Sequence, residues 1–218
     1  LINAADWVNV VAVTPRHEPT TALGAEMNGV GLGGPVLVIA GNAARSQLSG
    51  LWQQSLGEAG LEYSVMAFGG ECSLAEIERG SSEARSCGAR TILGAGGGKV
   101  LDTARAVATE VGADVVLCPT IASTDSPTSA VSVVYSDEGE VIEIRNHPRN
   151  PALVLVDTTV ILKAPKRFLV AGMGDAMSTF YEARACARSG APNCLGGAMT
   201  QAALAISELC RPNLMANG

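Results

Sequence analysis

Aromatic residues are scarce in this chain: Phe, Trp and Tyr make up 4% of its 218 residues. Histidine is scarcer, with only His17 and His147. The six cysteines (Cys72, Cys87, Cys118, Cys186, Cys194 and Cys210) are scattered, and no C-x-x-C pair occurs. That spacing argues against a disulfide framework or a zinc knuckle and fits the reduced thiols of a cytoplasmic protein. No apolar run reaches membrane-spanning length, and the first residues lack the basic stretch of a signal peptide. Acidic side chains outnumber basic ones, 21 to 15, and no basic stripe appears, so neither a nucleic acid nor a membrane is an expected partner.

What is present is small and apolar. Apolar residues form 47% of the chain, rich in Ala and Val, and Gly adds 25 positions. That composition suits helices packed closely on a parallel sheet and supplies the core of one large domain or two small ones. From residue 36 the pattern alternates. Strand-like Val36–Ala40 precedes a helical stretch from Ala43 to Ala59, and Leu61–Phe68 precedes a helix over Ser73–Ser86. Thr91–Leu93 and Val115–Cys118 flank another helical pattern, and Leu153–Val156 closes the series. Such alternation predicts an α/β fold with a Rossmann-like parallel sheet. Val131–Tyr135 and Val141–Arg145 flank a turn-forming Ser136–Glu140 and read as a hairpin. After Asp157 the pattern is helical: Thr158–Ala164, Lys166–Arg188 and Leu195–Leu209. The expected division is a nucleotide-binding domain over 1–157 and the start of an all-α domain over 158–218. Residues 1–35 show no sustained period.

The densest signal is Gly94-Ala95-Gly96-Gly97-Gly98-Lys99, between Thr91–Leu93 and a helix carrying Val100, Leu101, Ala104, Val107 and Ala108. Strand, glycine loop and helix in that order place bare N–H groups at a helix N-terminus, where a phosphate is favoured. The loop is not a Walker A sequence, because Leu93 and Val100 stand where that pattern wants glycine and a hydroxyl. It also lacks the last glycine of the dinucleotide fingerprint. A formal match at Gly29, Gly31 and Gly34 precedes its strand instead of following it, which makes it a decoy.

A second stretch, Pro119-Thr-Ile-Ala-Ser123-Thr-Asp125-Ser-Pro-Thr-Ser129, follows a parallel strand, on the side where open α/β sheets bind ligands. With Gly96-Gly-Gly-Lys99-Val-Leu-Asp102-Thr, Leu153-Val-Leu-Val-Asp-Thr and Ala171-Gly-Met-Gly-Asp175-Ala, it strongly resembles the glycerol dehydrogenases. These are the metal-dependent, NAD-linked branch of a superfamily that includes iron-containing alcohol dehydrogenases and dehydroquinate synthase. The resemblance is dense from about residue 88 to 210 and faint before residue 36.

The resemblance implies that Gly96, Gly97 and Gly98 hold the pyrophosphate of NAD. Thr120 and Ser123 would meet its adenine-nucleotide half, while Ser129, Val131 and Tyr135 would line the nicotinamide end. Asp125 would meet a small polyol. Asp175, which alone would read as a helix cap, becomes one ligand of Zn2+. It further implies a homo-oligomer and hydride transfer from glycerol to give dihydroxyacetone, the metal lowering the pKa of the hydroxyl. Asp102, in the first helical turn after the glycines, is expected to orient the loop or answer the helix dipole and not to act on substrate.

Two departures stand out. Neither His17 nor His147 occupies a family ligand position, and both histidine ligands would lie beyond residue 218, so the chain reads as truncated within its helical domain. The acidic residue expected after Val36–Ala40 to bind the adenosine ribose is replaced by Gly41 and Asn42, with Arg45 near, which brings NADP into view beside NAD. The alternatives are a catalytically inactive nucleotide-binding module and a relative acting on another alcohol. Glycerol-1-phosphate or a phosphate-bearing substrate of the dehydroquinate synthase kind would call for Lys or Arg in 119–130, and none is there.

Overall fold

A computed structural model of the chain describes Asn9–Val13 and residues 22–193 and 196–217. In chain order the elements are β1 (Asn9–Val13), α1 (Leu23–Gly29), β2 (Val36–Ala40), α2 (Asn42–Glu58), β3 (Tyr63–Ala67), α3 (Leu74–Ser86), β4 (Thr91–Gly96), α4 (Gly98–Val111) and β5 (Asp114–Pro119). A 3-10 turn, Ser126–Thr128, leads to β6 (Val131–Tyr135), β7 (Val141–Asn146) and β8 (Leu153–Asp157). Helices α5 (Thr158–Ile161), α6 (Lys166–Ser189), α7 (Gln201–Glu208) and α8 (Cys210–Asn217) complete the described chain.

The described residues fall into two compact units. One takes those of Leu1–Ile121 and Ser126–Ala164; the other takes those of Ala122–Asp125 and Pro165–Gly218. The first is built on a six-stranded, fully parallel sheet in the order β1-β8-β5-β4-β2-β3. The expected α/β class with a parallel sheet is therefore the observed one. β2 and β4, buried along their whole length, lie side by side with Val38 opposite Leu93. One face of the sheet packs Leu48, Trp52 and Leu56 of α2; the other packs Ile77 of α3 and Leu101 and Val107 of α4.

β6 and β7 pair antiparallel as the predicted hairpin, Val131 opposite Asn146, and Gly139 takes the left-handed conformation in its turn. Two elements, β1 and α1, lie in the part of the sequence that shows no period. The last helical stretch also differs. Residues 196–200 are non-helical, and two helices, α7 and α8, follow instead of one spanning 195–209. The Thr200 hydroxyl accepts the Ala203 N–H at 3.1 Å, so a side-chain cap fixes the start of α7.

Candidate nucleotide and substrate site

The glycine run is not all loop. β4 continues through Gly94, Ala95 and Gly96, and only Gly97 stands between strand and helix. The reason is close packing: a Cβ on Gly94 would sit 2.7 Å from the Ala104 Cβ, and one on Gly96 would sit 2.6 Å from Val100 Cγ2. Removing those two side chains lets α4 fold back directly onto the strand that feeds it. Gly97 is extended (φ −87°, ψ −179°) and occupies the N-cap position without a side-chain cap. Its carbonyl accepts from Val100 N at 2.9 Å and Leu101 N at 3.2 Å. The amides before Val100 belong to the helix end, where intrahelical partners are lacking.

Thr120 is brought to this cradle by the register of the sheet. Gly96 lies opposite Pro119, and the Thr120 N–H donates to the Gly96 carbonyl at 3.0 Å. Tyr135 approaches from the hairpin. Its N–H donates to the Cys72 carbonyl at 2.8 Å, and the Lys99 ammonium lies 4.6 Å from its ring centroid. Lys99 Nζ also donates to Glu71 Oε2 at 2.5 Å. Gly96, Gly97, Gly98, Thr120 and Tyr135 thus gather at the carboxyl edge of the sheet. Cys72, wholly buried beside them, has its thiol pushed up to about 11 by burial, against a hydrogen bond with Thr103 that lowers it. It is no nucleophile at neutral pH.

Ser129 and Val131 belong to a second group. The Ser129 hydroxyl donates to the Ser126 carbonyl at 3.3 Å, and the Val131 carbonyl accepts from Arg105 Nη1 at 2.5 Å. Beneath them lies a buried polar network that the sequence pattern does not reveal. The Asp102 carboxylate accepts from Arg105 Nη1 at 2.8 Å, the Ser126 hydroxyl at 2.7 Å and Val133 N at 3.0 Å. Arg105 Nη2 also donates to the Ser126 carbonyl. Asp102 therefore ties α4 to both the 3-10 turn and β6.

His147 completes the network. The Ser132 hydroxyl donates to the Asp102 carbonyl at 2.8 Å, leaving its oxygen to accept from His147 Nε2 at 2.9 Å. Nδ1 lies 2.8 Å from the Thr109 hydroxyl, which donates its one proton to the Arg105 carbonyl at 3.1 Å. Burial, with Arg105 and Arg145 nearby, holds the imidazole down to about 4. This histidine is a structural residue; His17 lies outside the described residues.

Ser123, Asp125 and Asp175 lie in the helical unit. Asp175 sits well inside α6, whose N-cap position is Pro165, so it caps nothing. Its Oδ2 accepts the Asp125 N–H at 2.9 Å. Gly172 explains part of the glycine motif, since a Cβ there would come 2.2 Å from the Ala122 carbonyl oxygen. A zinc ion normally takes three protein ligands. Among the described residues no three His, Cys, Asp or Glu side chains come together, so these residues do not by themselves fit the metal. No described helix is long and apolar enough to cross a membrane.

The sequence matches the family described as iron-containing alcohol dehydrogenase over residues 16–158. It is 53% identical over 168 residues to a glycerol dehydrogenase of Escherichia coli O6:H1, covering 76% of this chain and 45% of that protein. It is 46% identical over 187 residues to a glycolaldehyde reductase of Halobacterium salinarum, covering 86% and 51%. The fold superposes with a TM-score of 0.85 on the crystal structure of a probable glycerol dehydrogenase from Sinorhizobium meliloti 1021, at 37% identity over 96% of this chain and 56% of that one. The chain spans about half the length of the curated relatives it matches. A match across more than half of its residues places the chain in the iron-containing alcohol dehydrogenase family.

Proposed function

We propose that the protein to which this chain belongs oxidises a small polyol, glycerol foremost, to dihydroxyacetone by passing a hydride to NAD. The observation that carries the reading is the cradle: bare amides at the start of α4, one residue past a buried parallel strand, with Thr120 beside them. An anionic diphosphate is stabilised there by the helix dipole and by donors that have no other partner. Relatives named as a glycerol dehydrogenase and a glycolaldehyde reductase support a substrate with adjacent oxygen functions on a short carbon chain.

In this reading Gly96, Gly97 and Gly98 hold the diphosphate, and Thr120 and Ser123 meet the adenine nucleotide. Ser129, Val131 and Tyr135 flank the nicotinamide, while Asp125 accepts from a substrate hydroxyl. A carboxylate left without that donor carries a desolvation penalty, which favours hydroxyl-bearing substrates. Asp175 offers one ligand to a divalent metal, zinc by resemblance. Homo-oligomerisation and a cytoplasmic setting belong to the same reading. A non-catalytic nucleotide-binding module is the second reading, favoured by the incomplete ligand set.

Calorimetric titration with NAD, run beside glycerol oxidation with added zinc, tests both. Binding weakened about tenfold or more by Gly97→Asp, which sets a carboxylate in the cradle, is the expected result. Unchanged binding in that variant overturns the cradle. Binding without turnover, with or without zinc, selects the module.

A further inference from the structure

We infer that Glu71 is a positioning residue that sets which redox state of the dinucleotide is held. Its carboxylate cancels the charge of Lys99 beside Tyr135, so the oxidised coenzyme, with its cationic nicotinamide ring, is not repelled. This rests on the reading above, in which the diphosphate lies on the start of α4 and Tyr135 flanks the nicotinamide. Glu71 itself lies between β3 and α3, outside the four motifs that carry the resemblance.

The loop that carries Glu71 is anchored at both ends. At its start the Phe68 N–H donates to the Ala40 carbonyl at 3.0 Å, and the Gly69 N–H donates to Glu76 Oε1 at 2.8 Å. Glu76 is buried and paired with Arg79, whose Nη2 also donates to the Ala67 carbonyl at 2.6 Å. At the far end the Cys72 carbonyl accepts from Tyr135 N at 2.8 Å, and the Ser73 hydroxyl caps α3 by accepting the Glu76 N–H at 3.3 Å. Between these anchors Glu71 Oε1 accepts the Cys72 N–H at 2.9 Å, which fixes the carboxylate and leaves Oε2 for Lys99 Nζ at 2.5 Å.

Lys99 stands in the first turn of α4, at the positive end of the helix dipole, where a cation is disfavoured and a carboxylate offsets it. That alone would be an ordinary structural ion pair. Tyr135 gives it a further consequence. The same ammonium lies 4.6 Å from the Tyr135 ring centroid, so its charge is felt at the wall that flanks the nicotinamide. The side chains of Lys99 and Glu71 are 49% and 25% exposed, and neither is sealed off from an incoming ligand. Asp102, three residues on, is engaged by Arg105, which leaves Glu71 to balance Lys99. Oxidised and reduced coenzyme share the diphosphate and differ by one positive charge on the ring. A bare Lys99 would attract the diphosphate of both and repel the ring of one; paired with Glu71 it spares the ring.

The test is a calorimetric titration of the chain with NAD+, NADH and ADP-ribose, the last carrying the diphosphate without a nicotinamide. Glu71→Gln keeps the side-chain shape and removes the charge. It should tighten NADH and ADP-ribose about threefold and move the ratio of NAD+ to NADH affinity about fivefold towards NADH, a shift that shrinks at high salt. Glu71→Asp, which keeps the charge, should hold that ratio within about twofold of wild type. Glu71→Gln combined with Lys99→Gln should restore it, because the charge to be cancelled is gone. A merely structural role would weaken all three ligands together and leave the ratio unmoved. An unmoved ratio in Glu71→Gln, or an equal shift in Glu71→Asp, overturns the inference and leaves the cradle standing. Failure of all three ligands to bind wild-type protein removes the cradle and the inference with it.

Discussion

Helices α4 and α6 make the sharpest contrast in the molecule. Nine of the 14 residues of α4 are buried, including Asp102 and Arg105, whereas none of the 24 residues of α6 is. The sheet unit closes both of its faces with its own helices. In the helical unit Leu169, Val170, Ile206, Leu209 and Met215 are each at least half exposed. The cradle thus rests on a sheet packed on both faces. Asp125 and Asp175 belong to a unit that, among the described residues, builds no comparable core.

The largest effect should come from cutting the polar tie inside the better-packed region. Asp102→Ala leaves Arg105, 1% exposed at its side chain, without its carboxylate. Removing one partner of a buried ion pair costs about 3–5 kcal/mol. Urea denaturation followed by tryptophan fluorescence should show that loss in the sheet unit. A loss below about 1 kcal/mol would mean that the network does not hold the hairpin to α4.

A somewhat smaller effect follows from pH. The folded-state pKa of His147 is depressed from 6.5 to about 4, so between those values the unfolded chain binds the proton and the folded chain does not. Stability from this group is complete above pH 6.5 and is lost as pH falls through that window. The loss amounts to at most about 3.5 kcal/mol at about 1.4 kcal/mol per unit. His147→Gln should flatten the profile between the two values. An identical slope in wild type and variant would show that the ring takes up its proton alike in the folded and unfolded chain.

Much of the better-packed region was legible because its signals are local. Val36–Ala40 is a continuous apolar run, and the observed strand has the same ends. The hairpin announced itself through Ser136–Glu140 between two β-branched runs. What escaped depended on distant partners. β1 is a five-residue run whose strand neighbour among the described residues is β8, with Asn9 opposite Leu153. α1 has seven residues and no side-chain cap. Gly94 and Gly96 read as loop because nothing local says that Ala104 and Val100 press against them. In the site, the acidic Asp102 was visible, but Arg105 and His147 were not. Arg105 at i+3 from Asp102 was the one signal that could have found the pair.

The smallest effect belongs to the region without a core, and it bears most directly on the contrast. Leu209, at the junction of α7 and α8, is 58% exposed. Leu101, on α4, is 1% exposed and packs among Ile39, Ile92 and Leu117. Truncating the buried leucine to alanine should cost about 2–5 kcal/mol, the lost transfer energy plus the cavity left behind. The same change at Leu209 removes contacts that are mostly with water, so this chain should change by no more than about 0.5 kcal/mol. Paired thermal melts of the two variants measure the difference directly. If Leu209→Ala proves as costly as Leu101→Ala, then α7 and α8 are held by apolar packing at this position, and the contrast between the two units does not describe their energetics.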